Sequence, residues 1–174
     1  MKDIGVEEVG MGPFINYAEL DLRGAFDLAI LIEEDAQLRY EELSRKLGND
    51  PEGAGDVCRM MARNEARHRS ELEARRRVLF AMEPTRIDIS VIDEWAETPG
   101  TDDGDLPSRA REALEMALEA ERRAHAFYKE AIPNLVDPGV RAFFQELMNE
   151  EAEHQELLSR KLAELDAHGK PRAT

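Results

Sequence analysis

His68 and His154 each follow a glutamate by three residues, Glu65 and Glu151, and both pairs lie midway along amphipathic stretches with helical spacing. Residues three apart on a helix share a face, so each pair points a carboxylate and an imidazole the same way. Upstream of each pair stands an inward-facing glutamate with a tyrosine seven residues later: Glu33 with Tyr40, and Glu121 with Tyr128. The order Glu…Tyr, then Glu-x-x-His, therefore occurs twice. Four carboxylates and two imidazoles arranged in this way are the ligand set of a two-metal site inside a four-helix bundle.

The physical warrant lies in where these residues fall. An ionised carboxylate in an apolar interior costs several kcal/mol unless it is paired or coordinated. Glu33, Glu65, Glu121 and Glu151 occupy stripe positions where leucine is otherwise expected, and no lysine or arginine shares those stripes. Arg75 and Arg76 lie one or two turns beyond His68. Two divalent cations would neutralise the set, each taking one histidine and sharing the glutamates, with positions left open for oxygen or peroxide. Imidazole with carboxylate suits iron or manganese better than calcium or structural zinc. Two iron ions are therefore expected, with manganese or zinc as substitutes. Tyr40 and Tyr128 are placed to donate hydrogen bonds to the ligands.

Other chemically capable residues read more plainly. One Glu-x-x-His in a glutamate-rich chain is weak; the symmetry of two carries the argument. Glu34, Glu150 and Glu153 sit off the stripe and read as solvated face. His125, one turn after Glu121, reads as packing near the inward face, and His168 as part of the tail. Cys58 reads as a small core residue and Trp95 as a packing anchor.

Four elements must position the site, giving an all-α bundle with a long crossover between its second and third helices. The first helix is expected from Asp21 to Leu47, ended by Gly48-Asn49-Asp50-Pro51, with the inward stripe Phe26, Ala29, Ile30, Glu33, Ala36, Gln37, Tyr40, Leu43, Leu47. The second runs from about Gly55 to Met82, with the stripe Val57, Met61, Glu65, His68, Leu72, Leu79. Residues 83–107, with three prolines and two glycines, form the crossover along the bundle, its apolar part being Ile87 to Trp95. The third helix spans about Ser108 to Leu135, started by Pro107 and Ser108. The fourth begins after Asp137-Pro138-Gly139 and continues to about Ala167, with Val140, Phe143, Phe144, Leu147, Glu151, His154, Leu158, Leu162 and Leu165 inward. Residues 1–18 read as an arm on the body, 19–167 as the bundle and 168–174 as a disordered tail. A shift of 88 positions carries Glu33 and Tyr40 onto Glu121 and Tyr128, and a shift of 86 carries Glu65 and His68 onto Glu151 and His154. A duplicated helix pair with approximate two-fold symmetry explains both.

Composition narrows the function classes. The 174 residues suit one domain with a real core. A formal net charge of -15 disfavours nucleic acid and anionic membrane and favours cations near the surface. The single cysteine excludes an intrachain disulfide and a Cys-rich metal module. No signal peptide and no run of about 18 apolar residues is present, so the cytoplasm is the expected compartment.

This pattern resembles the ferritin-like superfamily, and most closely its rubrerythrin branch. The segments carrying the resemblance are Glu33 through Tyr40, Glu65 through His68, Glu121 through Tyr128 and Glu151 through His154, within residues 20 to 165. The resemblance implies a ferritin-like bundle and a di-iron centre that reacts with hydrogen peroxide or dioxygen, ligated by Glu33, Glu65, His68, Glu121, Glu151 and His154. Two departures stand out. Rubrerythrins typically carry a Cys-x-x-Cys rubredoxin domain, which one cysteine cannot build. They also carry an extra carboxylate ligand three residues after the third-helix glutamate, where this chain has Ala124.

Three functions remain open on these grounds. The first is a di-iron oxidoreductase, a ferroxidase or a peroxide-reducing enzyme that would draw on an external electron donor. The second is an iron-binding and buffering protein without significant turnover, and the third a structural bundle with its site zinc-filled or empty. A homodimer is expected, with the crossover or the N-terminal arm in the contact.

Overall fold

Each helix starts and stops where a local backbone need is met. In the computed structural model, which describes residues 21–81, 83–84 and 109–168, α1 spans Leu22–Leu47 and is capped by Asp21, whose carboxylate accepts from the Gly24 N–H at 2.7 Å. It ends at Gly48, whose φ of 58° is cheap only for glycine, with Arg45 and Lys46 in the last turn facing the negative end of the helix dipole. Asp50 then caps α2, Ala54–Phe80, by accepting from the N–H groups of Ala54 (3.1 Å) and Gly55 (2.7 Å). A Cβ on Gly55 would lie 2.4 Å from the Gly48 carbonyl oxygen, so the tight turn between α1 and α2 requires glycine there. α3 spans Ala110–Ala131 and passes into a 3₁₀ turn, Ile132–Asn134. α4 runs Pro138–His168, with Pro138 in the first turn and Asp137 accepting from the Val140 N–H at 2.9 Å.

The helices pair as two hairpins, α1 on α2 and α3 on α4, and the hairpins face one another. Two apolar cores result. One collects Phe26, Ile32, Leu72, Phe127, Phe144 and Leu147, and the other Leu43, Cys58, Met61, Leu114, Ala117 and Leu158. Their members sit before Glu33 and after Tyr40 on α1, and in the reverse sense on α2, so the polar residues of the duplicated motif lie between the two cores. Aromatic rings reinforce the first core: Phe26 meets Phe144 edge to face at 5.7 Å, and Phe144 meets Tyr128 at 5.5 Å.

The fold agrees with the expected all-α bundle, and the helix ends fall within a few residues of those read from sequence. One stripe position differs. Leu79 is 44% exposed, and Phe80 packs edge to face on Phe26 instead. Both lie in the last turn of α2, beyond Leu72, the last fully buried residue of the stripe, and there Phe80 rather than Leu79 finds an aromatic partner on α1. Val57, Ile30, Ala36, Gln37, Leu162 and Leu165 are half-buried at the margins of the core. Cys58 is fully buried, and burial pushes its thiol up to about 11, as suits an inert core residue. The N-terminal arm, the body of the crossover with Trp95, the Pro107–Ser108 start and the tail from Gly169 lie outside the described residues. No helix among the described residues is long and apolar enough to cross a membrane.

Candidate metal centre

The middle turns of all four helices deliver the duplicated residues to one place. Glu33, Glu65, His68, Glu121, Glu151 and His154 are all buried between the two cores. The Nδ1 atom of each histidine faces the carboxylates. His68 Nδ1 lies 3.2 Å from both Glu33 Oε2 and Glu65 Oε2. His154 Nδ1 lies 3.1 Å from Glu121 Oε2, 3.3 Å from Glu65 Oε1 and 3.6 Å from Glu151 Oε2. The two imidazoles stack, with centroids 5.8 Å apart and planes 17° from parallel.

The tyrosines bind crosswise. The Tyr40 hydroxyl on α1 donates to Glu121 Oε1 on α3, and the Tyr128 hydroxyl on α3 donates to Glu33 Oε1 on α1. Each bond ties one hairpin to the other and fixes one carboxylate so that its second oxygen faces a histidine. Burial, then the nearby glutamates, push both phenols well above their ordinary range, so they remain donors.

The electrostatics are those of a site short of positive charge. Burial, with neighbouring Glu121 and Glu33 opposing its charge, pushes Glu65 well above the usual carboxylate range despite its hydrogen bond to His68. Glu151 is likewise pushed well above that range by burial, by the charge of Glu121 and by a hydrogen bond with it. Burial also acts against ionised Glu121, but its hydrogen bonds from Glu151, His154 and Tyr40 outweigh that and hold it low. For His68 burial opposes the cation, yet hydrogen bonds to Glu33 and Glu65 lift it to about 11. Without a metal, the cluster limits its repulsion by holding protons.

This donor set fits a pair of metal ions. Glu65 Oε1 is buried without a hydrogen-bond partner, although His154 Nδ1 is close by. Ligand atoms of Glu33, Glu65, His68 and Glu151 lie within 4.8 Å of one another, and so do those of Glu65, Glu121 and His154. Glu65 belongs to both groups and so could serve either of two ions. Among the described residues, no lysine or arginine pairs with any of the four glutamates.

Three polar residues of consequence escaped the sequence reading. Glu150, read there as solvated face, is only 33% exposed and places Oε2 2.6 Å from His68 Nε2, while also accepting from Arg67 at 2.5 Å. The correction follows from direction: Glu150 lies one position before Glu151, at the edge of the buried stripe, and reaches back over the imidazole of the opposite hairpin. Asn64, one position before Glu65, puts Nδ2 3.3 Å from His154 Nε2. The 86-residue shift maps Asn64 onto Glu150, so the repeat itself carried this signal. Asp27, 2% exposed, is paired with Arg76 near the start of α1. Arg75 instead stacks its guanidinium 3.6 Å over the Phe143 ring. Glu34 pairs with Arg69 at the surface, Glu153 is exposed and His125 is half-buried outside the cluster.

The sequence model of the rubrerythrin family matches residues 25–162. The chain belongs to the rubrerythrin family. None of the proteins of curated function matches it in sequence. Solved structures place it among ferritin-like bundles. An uncharacterized conserved protein of Magnetospirillum magnetotacticum is 28% identical with a TM-score of 0.71, over 88% of this chain and 98% of that one. A hypothetical protein of Pyrococcus furiosus is 16% identical with a TM-score of 0.68, over 90% and 97%. The bacterioferritin of Rhodobacter capsulatus, solved with a metal-free dinuclear site and haem iron, is 20% identical with a TM-score of 0.60, over 94% and 99%. The last two likenesses speak for the fold alone. Ala124, three residues after Glu121, is 6% exposed and packs in the first apolar core.

Proposed function

We propose that this rubrerythrin-family protein is a non-haem di-iron oxidoreductase, oxidising ferrous iron with dioxygen or peroxide, or reducing peroxide with electrons from an external donor. One observation carries the reading: four buried carboxylates and two imidazoles converge, and among the described residues no lysine or arginine forms a salt bridge with any of those four carboxylates. Glu33, Glu65, His68, Glu121, Glu151 and His154 would hold the iron, which would supply the electrons exchanged with the oxidant. The chain's own part follows from its geometry. Tyr40 and Tyr128 orient Glu121 and Glu33 by holding one oxygen of each. Glu65 and Glu151, which carry protons without metal, release them when a cation takes their place. The apolar cores on either side keep bulk water away and strengthen every electrostatic contact between them. Manganese or zinc could occupy the same donor set.

A second reading is iron binding and buffering without significant turnover. It draws on the single cysteine, which leaves this sequence without a thiolate electron carrier. Anaerobic loading with ferrous ion, then exposure to oxygen or peroxide, separates the two. Rapid oxidation of about two irons per chain supports the oxidoreductase, and tight binding with slow oxidation supports the buffer. Neither survives if no iron binds. The ions should lie about 3.5–4 Å apart, the spacing of coupled two-metal sites. A homodimer is proposed as the working assembly, to be tested by light scattering at micromolar concentration.

A further inference from the structure

The duplicated motif is symmetric in its six inner residues and asymmetric one step behind them. His68 Nε2 meets the Glu150 carboxylate at 2.6 Å, whereas His154 Nε2 meets the Asn64 side-chain amide at 3.3 Å. Both contacts cross from one hairpin to the other, from equivalent positions of the repeat. When Nδ1 of an imidazole binds a cation, Nε2 must carry the proton and donate it outward. Glu150 offers a charged acceptor at short range. Asn64 offers a neutral one, and only after its amide turns its oxygen toward the ring, since Nδ2 is itself a donor.

Resting on the metal-centre reading above, we infer that the two halves of this site are inequivalent: the His68 half, backed by Glu150, binds a divalent metal more tightly than the His154 half, backed by Asn64. A hydrogen bond from a ligating imidazole to a carboxylate fixes the tautomer, holds the ring's orientation and makes the other nitrogen a stronger donor. A bond to an amide does each of these less well. Glu150 is held in place by Arg67, which shares its Oε2 with His68 and lies 3.0 Å from the ring nitrogen. At the equivalent position of the other half stands Glu153, so the asymmetry extends to the outer residue as well.

Anaerobic titration of the full-length metal-free chain with Co²⁺, followed by calorimetry and by visible absorption, tests this without any turnover. Wild type should fill in two steps, the first ~10–100-fold tighter. Repulsion between two neighbouring cations also separates the steps, so the variants carry the decision. Glu150→Gln should weaken the first step and narrow the ratio. Asn64→Asp should narrow it from the other side by tightening the second step, a gain that a merely structural role for these positions would not produce. Arg67→Gln keeps the carboxylate and should leave the order of filling intact. A crystal with one equivalent of Co²⁺ should show its anomalous peak beside His68. The inference is overturned if the ratio is unchanged in both Glu150→Gln and Asn64→Asp, or if the first ion sits beside His154. A wild-type chain that takes up no Co²⁺ or Fe²⁺ overturns the metal reading itself, and this inference with it.

Discussion

Asp27 and the four central glutamates are equally buried, and the chain treats them in opposite ways. Asp27 is met by Arg76 from the neighbouring helix, so its charge is balanced within the protein. Glu33, Glu65, Glu121 and Glu151 are met by one another, by two histidines and by two tyrosine hydroxyls. The arginine that neutralises Asp27 sits only two turns from His68, so an arginine could have been supplied to the centre as well. Where a buried acid serves the fold, the sequence provides its cation. At the centre no lysine or arginine meets the glutamates among the described residues, and that difference is what makes the cluster a candidate metal site.

The largest effect should come from breaking the pair that is complete. Arg76→Met removes the guanidinium that meets the buried Asp27 carboxylate, and should cost about 3–5 kcal/mol in urea unfolding of the metal-free chain. Glu151→Gln should act in the opposite direction, since it removes a carboxylate whose neighbours repel it. The metal-free variant should be at least as stable as wild type, yet should fail to oxidise iron. A large loss of stability in Glu151→Gln, with Arg76→Met neutral, would reverse the comparison.

Metal loading comes next. Ferrous ion or Co²⁺ at ~1,000 times its dissociation constant should stabilise the fold by about 4 kcal/mol, raising the melting temperature, and Glu65→Ala should remove that gain. Loading should also release protons, measurable in weakly buffered solution, because Glu65 and Glu151 hold them in the metal-free site.

The pH dependence has a definite sign. His68 is raised from 6.5 to about 11 in the folded metal-free chain. A group whose folded value lies above its unfolded value stabilises fully below the unfolded value and loses that contribution as pH rises through the folded one. Stability of the metal-free chain should therefore decline between pH 6.5 and about 11. Glu65 and Glu151 are shifted in the same direction and have the same sign, starting from the ordinary carboxylate range. With metal bound the decline should flatten, because the cation replaces those protons. Denaturant midpoints of both forms across this range check it.

Much of the fold and most of the centre are legible in the amino-acid sequence alone. Period-3.6 stripes, Asp21, Asp50 and Asp137 at helix starts, and Gly48 at a helix end define the elements, since caps and stripes are local rules. The six inner residues are legible because the repeat places each type twice. What escapes depends on three-dimensional reach. Asp27 sits beside Phe26 on the inward face, but its partner comes from another helix. Glu150 lies off the ideal stripe, yet its side chain is long enough to return to the imidazole. Leu79 is exposed because the aromatic partner that α1 offers at the end of α2, Phe26, meets Phe80 instead, a choice made by the neighbouring helix and not by the stripe.

The smallest expected effect tests the symmetry of the centre itself. Tyr40→Phe removes the hydroxyl that holds Glu121, and Tyr128→Phe removes the one that holds Glu33, with no change in ring packing. A hydrogen bond to a charged acceptor contributes ~1.5–3 kcal/mol, and the two bonds are related by the approximate two-fold axis, so the variants should lose similar amounts. Neither should prevent metal binding, because the ligand oxygens themselves remain. A double variant should depart from the sum, since Glu33 and Glu121 are joined through His68, Glu65 and His154 in one network, and the departure measures that coupling. Unequal losses would show that the inequivalence between Glu150 and Asn64 reaches through the ligands to the hydrogen bonds on their far side.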